Sequence, residues 1–228
     1  AAGLGLGGVP LIALAVDPRT AAALTLPILI MMDAVVVWVY RGRWHLGHLK
    51  ALLLGALVGI ALGALTFEYV SEGMMRLIVG ATGLLFFASR WVLRAKISSQ
   101  EQPVDAARGG FWGALSGFTS FTAHAGGPPV AMYLLPRNID KTSYQATNTA
   151  FFAVVNLVKV PPYLWLGQFN GEVLLTALAL MPLAALSAGL GGYLHTRVDD
   201  RWFYRICNGM LIVTCCKLLY DGIRSLAG

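Results

Sequence analysis

Residues 123–129 read Ala123-His124-Ala125-Gly126-Gly127-Pro128-Pro129, and they interrupt an apolar run over about 109–135. A proline sits comfortably in the first turn of a helix, where its missing N–H forms no helical bond. Two glycines before it let the backbone leave helical angles and admit a close neighbour. The segment therefore predicts a helix, a short unwound stretch, and a new helix beginning near Pro128. A helix start carries about half a positive charge and presents free N–H groups. Non-helical backbone at membrane depth is tolerated only where it is buried in protein or lines a cavity. The plainer reading of the same residues is a Gly/Pro kink that lets helices pack closely.

The rest of the chain supplies the membrane setting. Of its 228 residues, 57% are apolar and only 12% charged, with a mean hydropathy of +0.68. A soluble domain carries about twice that charged fraction. Since about 20 apolar residues cross a bilayer, the chain has material for several spans and little else. Hydrophobic runs fall at about 3–16, 20–40, 48–67, 73–94, 109–135, 142–166, 171–194 and 201–223. The expected fold is an all-α integral membrane protein with about eight transmembrane helices. Cys207, Cys215 and Cys216 have no CxxC spacing, which excludes a disulfide scaffold; their apolar setting predicts buried thiols. The net charge of +6 is spread between the hydrophobic runs. That distribution is a topology signal, not a nucleic-acid footprint.

The chain echoes itself. Gly7-Gly8-Val9-Pro10 recurs as Gly126-Gly127-Pro128-Pro129, and Asp17-Pro18-Arg19-Thr20 as Asn138-Ile139-Asp140-Lys141. Thr25 answers to Thr147, and Val70-Ser71-Glu72 to Val198-Asp199-Asp200. Offsets grow slowly, from about 119 to about 128, as a duplication with small insertions gives. We expect two pseudo-symmetric four-helix repeats, residues 1–97 and 109–228, each broken at a Gly-Gly-x-Pro motif, with a cytoplasmic linker at 98–108. The first repeat is expected to be incomplete at its N-terminus, because only Ala1 to Leu6 precede its break. Arg41, Arg43 and Lys50 follow the second run, and Arg90, Arg94, Lys96 and Arg108 the fourth, so both loops belong inside, with Glu68 and Glu72 outside. If the fifth run crosses fully, the repeats are parallel; if it dips in and returns at its break, they are inverted. Charge counting slightly prefers inversion, which puts Arg137, Lys141, Arg197 and Arg201 inside. The run's length is ample for one crossing, and parallel repeats are the expectation taken.

The segment Gly117-Phe118-Thr119-Ser120-Phe121-Thr122-Ala123-His124-Ala125-Gly126-Gly127-Pro128-Pro129 carries a family resemblance, continued by Ala146-Thr147-Asn148-Thr149-Ala150-Phe151-Phe152 and by Asn156-Leu157-Val158-Lys159 with Pro162-Tyr163 and Gly167. Together they resemble the sulfite exporter TauE/SafE family, also called the TSUP permeases. The family pattern has a Gly-rich lead-in, a Gly-Gly-Gly-Pro-like break, a small/Thr motif, then Asn, Lys, Tyr and Gly along the next span. The resemblance covers essentially the whole chain. It implies a carrier for sulfite, organosulfonates or related anions in the bacterial plasma (inner) membrane. His124 and Ala125 stand where a less polar residue and a glycine are more usual, and the first break reads Gly-Gly-Val-Pro, departures that bear on which anion is carried.

Two symmetry-related helix starts aimed at one cavity would bind an anion without a metal. The candidate substrate residues are Gly7, Gly8 and Pro10 in the first half, with His124, Gly126, Gly127, Pro128, Thr147, Asn148, Asn156 and Lys159 in the second. Lys159 lies about eight residues, or roughly 12 Å of helix, before Gly167, too deep to snorkel easily. It faces either the substrate or an ion pair with Asp33. Asp33 sits near the repeat-equivalent of Asn156 and, with His124, is a candidate proton carrier. Thr25, Thr147, Asn148 and Asn156 can bond oxyanion oxygens or join helices. The expected function is export of a sulfur-containing oxyanion held at the midplane. The rivals are a membrane-embedded enzyme or a structural subunit built on the His124/Lys159 region. No cofactor or nucleic acid is expected; the partners are the anion and membrane lipid, with a homodimer left open.

Overall fold

Carboxylates start three of the helices. Asp17 Oδ1 accepts from the backbone N–H groups of Arg19 and Thr20 at 3.0 and 2.9 Å. Asp140 Oδ1 accepts from those of Thr142 and Ser143, both at 3.0 Å. Asp105 Oδ1 accepts from that of Arg108 at 2.9 Å. Each satisfies donors that a helix start leaves open. Hydrogen bonds from Ser143 and Thr142 hold the Asp140 carboxyl below the usual carboxylate range.

The computed structural model describes residue 12 and residues 15–94, 102–195 and 200–227, and every regular element among them is helical. In chain order these are α1 (Pro18–Val39), α2 (Leu46–Thr66), α3 (Glu72–Arg94), α4 (Ala106–Ala123), α5 (Gly127–Leu134), a 3-10 turn (Leu135–Arg137), α6 (Lys141–Trp165), α7 (Gly171–His195) and α8 (Asp200–Ala227). The apolar runs from the second onward thus coincide with helices. The first run, with Gly7, Gly8 and Pro10, lies almost wholly outside the described residues. Among the described residues two helices, α1 with 22 residues and α2 with 21, are long and apolar enough to cross a membrane. α1 continues through Pro27, and α6 through Pro161 and Pro162.

The fifth run does not cross in one pass. His124 takes a left-handed backbone, φ 50°, and ends α4. The chain then folds back, so that Ser116 Oγ donates to Gly126 O at 2.8 Å, two turns before the break. Further along, Tyr133 Oη donates to Asp105 O at 3.3 Å and Arg137 Nη1 to Pro103 O at 2.9 Å. The N–H of Gln102 donates to Arg137 O at 2.9 Å. The end of the 3-10 turn therefore lies beside the residues leading into α4. This is a re-entrant hairpin, and the single crossing behind the parallel expectation is corrected. The length of an apolar run counts residues but carries no direction.

Other contacts agree in direction. Asn156 Nδ2 donates to Asp33 Oδ2 at 2.6 Å, and the His45 N–H to Thr147 Oγ1 at 2.8 Å. Going forward along α6, the partner moves back from His45, in the loop that follows α1, to Asp33 within α1, so α1 and α6 are antiparallel. α3 and α8 are antiparallel too: Gly73 faces Ser225 and Leu226, whereas Gly80 faces Cys215 and Leu219.

The closest pairing joins α2 and α4, which run parallel. A Cβ on Gly55 would stand 2.0 Å from Gly110 O, and one on Gly59 2.0 Å from Ala114 O. Reciprocally, a Cβ on Gly113 would stand 2.1 Å from Leu52 O, and one on Gly117 2.3 Å from Ala56 O. Small residues four apart on both helices let the backbones touch, a packing mode that operates without a hydrophobic drive between helices. The opposite face of α2 exposes Leu54, Leu57, Val58, Leu62 and Leu65, an apolar surface that suits lipid. Cys215 is buried as expected, but Cys216 is exposed.

The glycine seam makes a prediction. Gly59→Val should destabilise the purified protein by more than about 3 kcal/mol, since backbone on both sides must move. Gly110→Ala, whose Cβ meets nothing within 4 Å, should be neutral or stabilising by up to about 1 kcal/mol. Thermal unfolding in detergent distinguishes them; a tolerated Gly59→Val would refute the seam.

Candidate functional site

The end of α4 is buried, so its open carbonyls need partners. Lys159, 0% exposed on α6, reaches it from the side. Its Nζ donates to Ser120 O and Ser120 Oγ, both at 3.1 Å, and lies 2.7 Å from His124 Nδ1. One helical turn further on, Tyr163 Oη donates to Phe121 O at 2.7 Å. A cation at a helix C-terminus is favoured by the helix dipole. Tyr163 thus answers the carbonyl of Phe121, and Lys159 adds a second donor to Ser120 O, which already accepts from the His124 N–H at 3.0 Å.

The geometry also fixes the imidazole. His124 Nε2 stands 2.9 Å from Ala22 O, which can only accept. The ring proton therefore sits on Nε2, leaving Nδ1 to accept from the ammonium. All three Nζ donors are then used. His124 joins α4, α6 and α1, and those bonds hold it in a left-handed conformation that a non-glycine residue adopts at some cost.

Lys159 and Asp33 form no ion pair within 4.0 Å among the described residues; α4 takes that role instead. Asp33, 1% exposed, bonds Asn156 through Oδ2, while its Oδ1 has no partner. Thr147 Oγ1 is occupied by the His45 N–H, and Thr25 Oγ1 donates to Ala21 O at 2.6 Å. Asn148 is buried on the turn of α6 that carries Thr147. The site thus brings together His124, Asn156, Lys159 and Asp33, with Thr147 and Asn148 earlier on α6.

The start of α5 gives less than its dipole suggests. Pro128 and Pro129 carry no N–H, and Val130 N–H already bonds Gly126 O at 3.4 Å. The first turn therefore presents the N–H groups of Gly126 and Gly127 alone. Gly126 is also needed for packing, because a Cβ there would meet Ser116 Oγ at 2.7 Å and Ser120 Cβ at 2.9 Å. Beyond Tyr163 the cluster is covered by rings. Tyr163 packs at 5.1 Å from Phe121 and 5.7 Å from Phe169, and Phe67 lies 5.7 Å from Phe121 with the Arg19 guanidinium 5.0 Å over its face.

Sequence reasoning missed Ser120 as the partner of Lys159 and Tyr163 as a cap. The signal was present in part: Ser120 precedes His124 by four residues, one helical turn on the same face. Nitrogen NMR shifts of labelled His124 should show Nε2 protonated and Nδ1 bare. A proton on Nδ1 would contradict the cluster.

A family model described as Sulfite exporter TauE/SafE matches residues 1–218. No curated protein and no solved structure matches the chain. With nearly its full length matched, the chain belongs to the sulfite exporter TauE/SafE family.

Proposed function

We propose that the chain is a multi-pass carrier exporting a sulfur-containing oxyanion, such as sulfite or an organosulfonate, across the bacterial inner membrane. The observation that carries this reading is the buried cationic cluster of Lys159, His124 and Ser120 at a broken helix. Such a residue inside a membrane bundle is costly unless it serves a pathway. Family membership favours a carrier over an enzyme.

The proposed architecture is two inverted repeats, 1–97 and 109–228, joined by the linker 98–108, with about eight spans in all. Three features support inversion. Asp33 and Asn156 meet across α1 and α6 although they are 123 residues apart, the same interval that separates the caps Asp17 and Asp140. α1 pairs with α6 and α3 with α8, each antiparallel to its proposed counterpart. The returning hairpin also gathers Arg41, Arg43, Arg108, Arg137 and Lys141 at one end of the bundle, as a cytoplasmic face requires.

In this reading the anion lies near the midplane, on the N–H groups of Gly126 and Gly127 beside Pro128. Gly7, Gly8 and Pro10 serve the same purpose from the first repeat. The oxyanion exchanges with Ser120 Oγ for one ammonium donor of Lys159, while Thr147, Asn148 and Asn156 offer neutral bonds along the route toward the cytoplasm. Each negative charge that leaves a negative-inside cell gains about 2.3 kcal/mol per 100 mV, which favours the export direction.

The test is flux in liposomes containing the purified protein, with sulfite, thiosulfate and sulfoacetate as substrates and chloride as control. Sulfur oxyanions should move and chloride should not. Lys159→Gln should weaken substrate binding about tenfold or more in protein that still folds, since a charge-assisted bond contributes about 1.5–3 kcal/mol. Unchanged affinity in that variant would leave Lys159 as a helix cap only. Flux of chloride alone would reject the substrate class.

A further inference from the structure

Asp33 is a buried titratable group whose bonding is incomplete. It is 1% exposed, and Oδ2 accepts from Asn156 Nδ2 at 2.6 Å, but Oδ1 has no partner. A buried carboxylate normally fills both oxygens or finds a counter-ion. Among the described side chains, Lys159 supplies neither. Lys159 stands one turn beyond Asn156 on α6, yet its three donors go to Ser120 O, Ser120 Oγ and His124 Nδ1. His124, at the break, uses both ring nitrogens on Lys159 and Ala22 O. On α7 the ionisable residues are Glu172 and His195, and on α3 they are Glu72, Arg76, Arg90 and Arg94; none lies mid-helix.

What could bind Oδ1 follows from these neighbours. A metal cation of the sodium or calcium type needs about six oxygens, and here Lys159 would repel it. A proton needs one lone pair. We propose that Asp33 Oδ1 is a proton-binding site and that each transported anion brings one proton with it. This rests on the transport reading above. The step balances: a proton from one side converts the Asp33 carboxylate to the acid as the anion binds, and the same proton leaves with the anion on the other side. The charge balance explains why such pairing is useful. Empty, Asp33 carboxylate and Lys159 ammonium sum to zero; loaded with one proton, they carry a monoanion with no net charge and a dianion such as thiosulfate with one negative charge instead of two. The proton thus removes one unit of the charge that a low-dielectric interior would penalise during the rearrangement, while a dianion still takes one negative charge out down the potential.

The experiment uses the full chain in liposomes with thiosulfate, whose own protons are fully dissociated at neutral pH, and a pH-sensitive dye trapped inside. Wild type should move about one proton with each thiosulfate, in the same direction. In Asp33→Asn the amide stands in for the permanently protonated acid, so any remaining flux should carry no protons. Wild-type thiosulfate flux without proton movement would overturn the proposal and leave the transport reading intact. Proton movement persisting in Asp33→Asn would overturn the assignment to Asp33. Absence of flux for sulfite, thiosulfate and sulfoacetate alike would remove the transport reading, and this proposal with it.

Discussion

A helix that stops inside an apolar bundle leaves carbonyls that no water can reach, and the rest of this structure is organised around answering the end of α4. Ser120 and Phe121 carry the buried acceptors, and α6 supplies Lys159 and Tyr163, one turn apart, to meet them. That requirement sets where α6 must pass. It also makes His124 a junction: the imidazole accepts from the ammonium and donates to α1 at Ala22. A cation is therefore stabilised at depth by backbone dipoles before any substrate arrives.

The glycine seam between α2 and α4 is the second condition. Backbone contact at Gly55, Gly59, Gly113 and Gly117 fixes the height of α4 relative to α2, and with it the depth of the break. Gly126 repeats the device within the hairpin, letting the returning chain lie against Ser116. A methyl group at these positions would separate the helices without touching a candidate ligand. Loss of transport in a glycine variant therefore speaks first about packing and only then about the anion.

Much of the helix pattern was legible, because apolar runs of membrane length have few other outcomes; α1 to α3 and α6 to α8 sit where the runs place them. The break at His124 was legible from Gly126-Gly127-Pro128-Pro129. Its direction was not, since run length treats a hairpin and a crossing alike. The charge count, with Arg137 and Lys141 on the inside, preferred the returning chain over the crossing. The glycine spacing in α2 and α4 was also in plain sight, as Gly55, Gly59, Gly63 and Gly109, Gly113, Gly117, but it acquires meaning only once the two helices are known to be neighbours. The candidate site was legible as residue types: Lys159, His124, Asn156 and Asp33 all gather. Their pairing was not, because an intramembrane lysine pairs with a carboxylate or with a helix end equally well on paper. Only the third dimension separates Ser120 from Asp33 as its partner.

Everything above depends on the chain returning after His124, which makes the sidedness of the loop before α6 the decisive observable. A single cysteine at Asn138, an exposed position, can be placed in a background without Cys207, Cys215 and Cys216. It would be compared in intact cells, using an impermeant thiol reagent, with single cysteines at Arg43 and at Tyr69. The re-entrant hairpin predicts that the Asn138 and Arg43 positions are labelled from the same side and the Tyr69 position from the other. Labelling of the Asn138 position together with that of Tyr69 would mean a full crossing and would contradict the account.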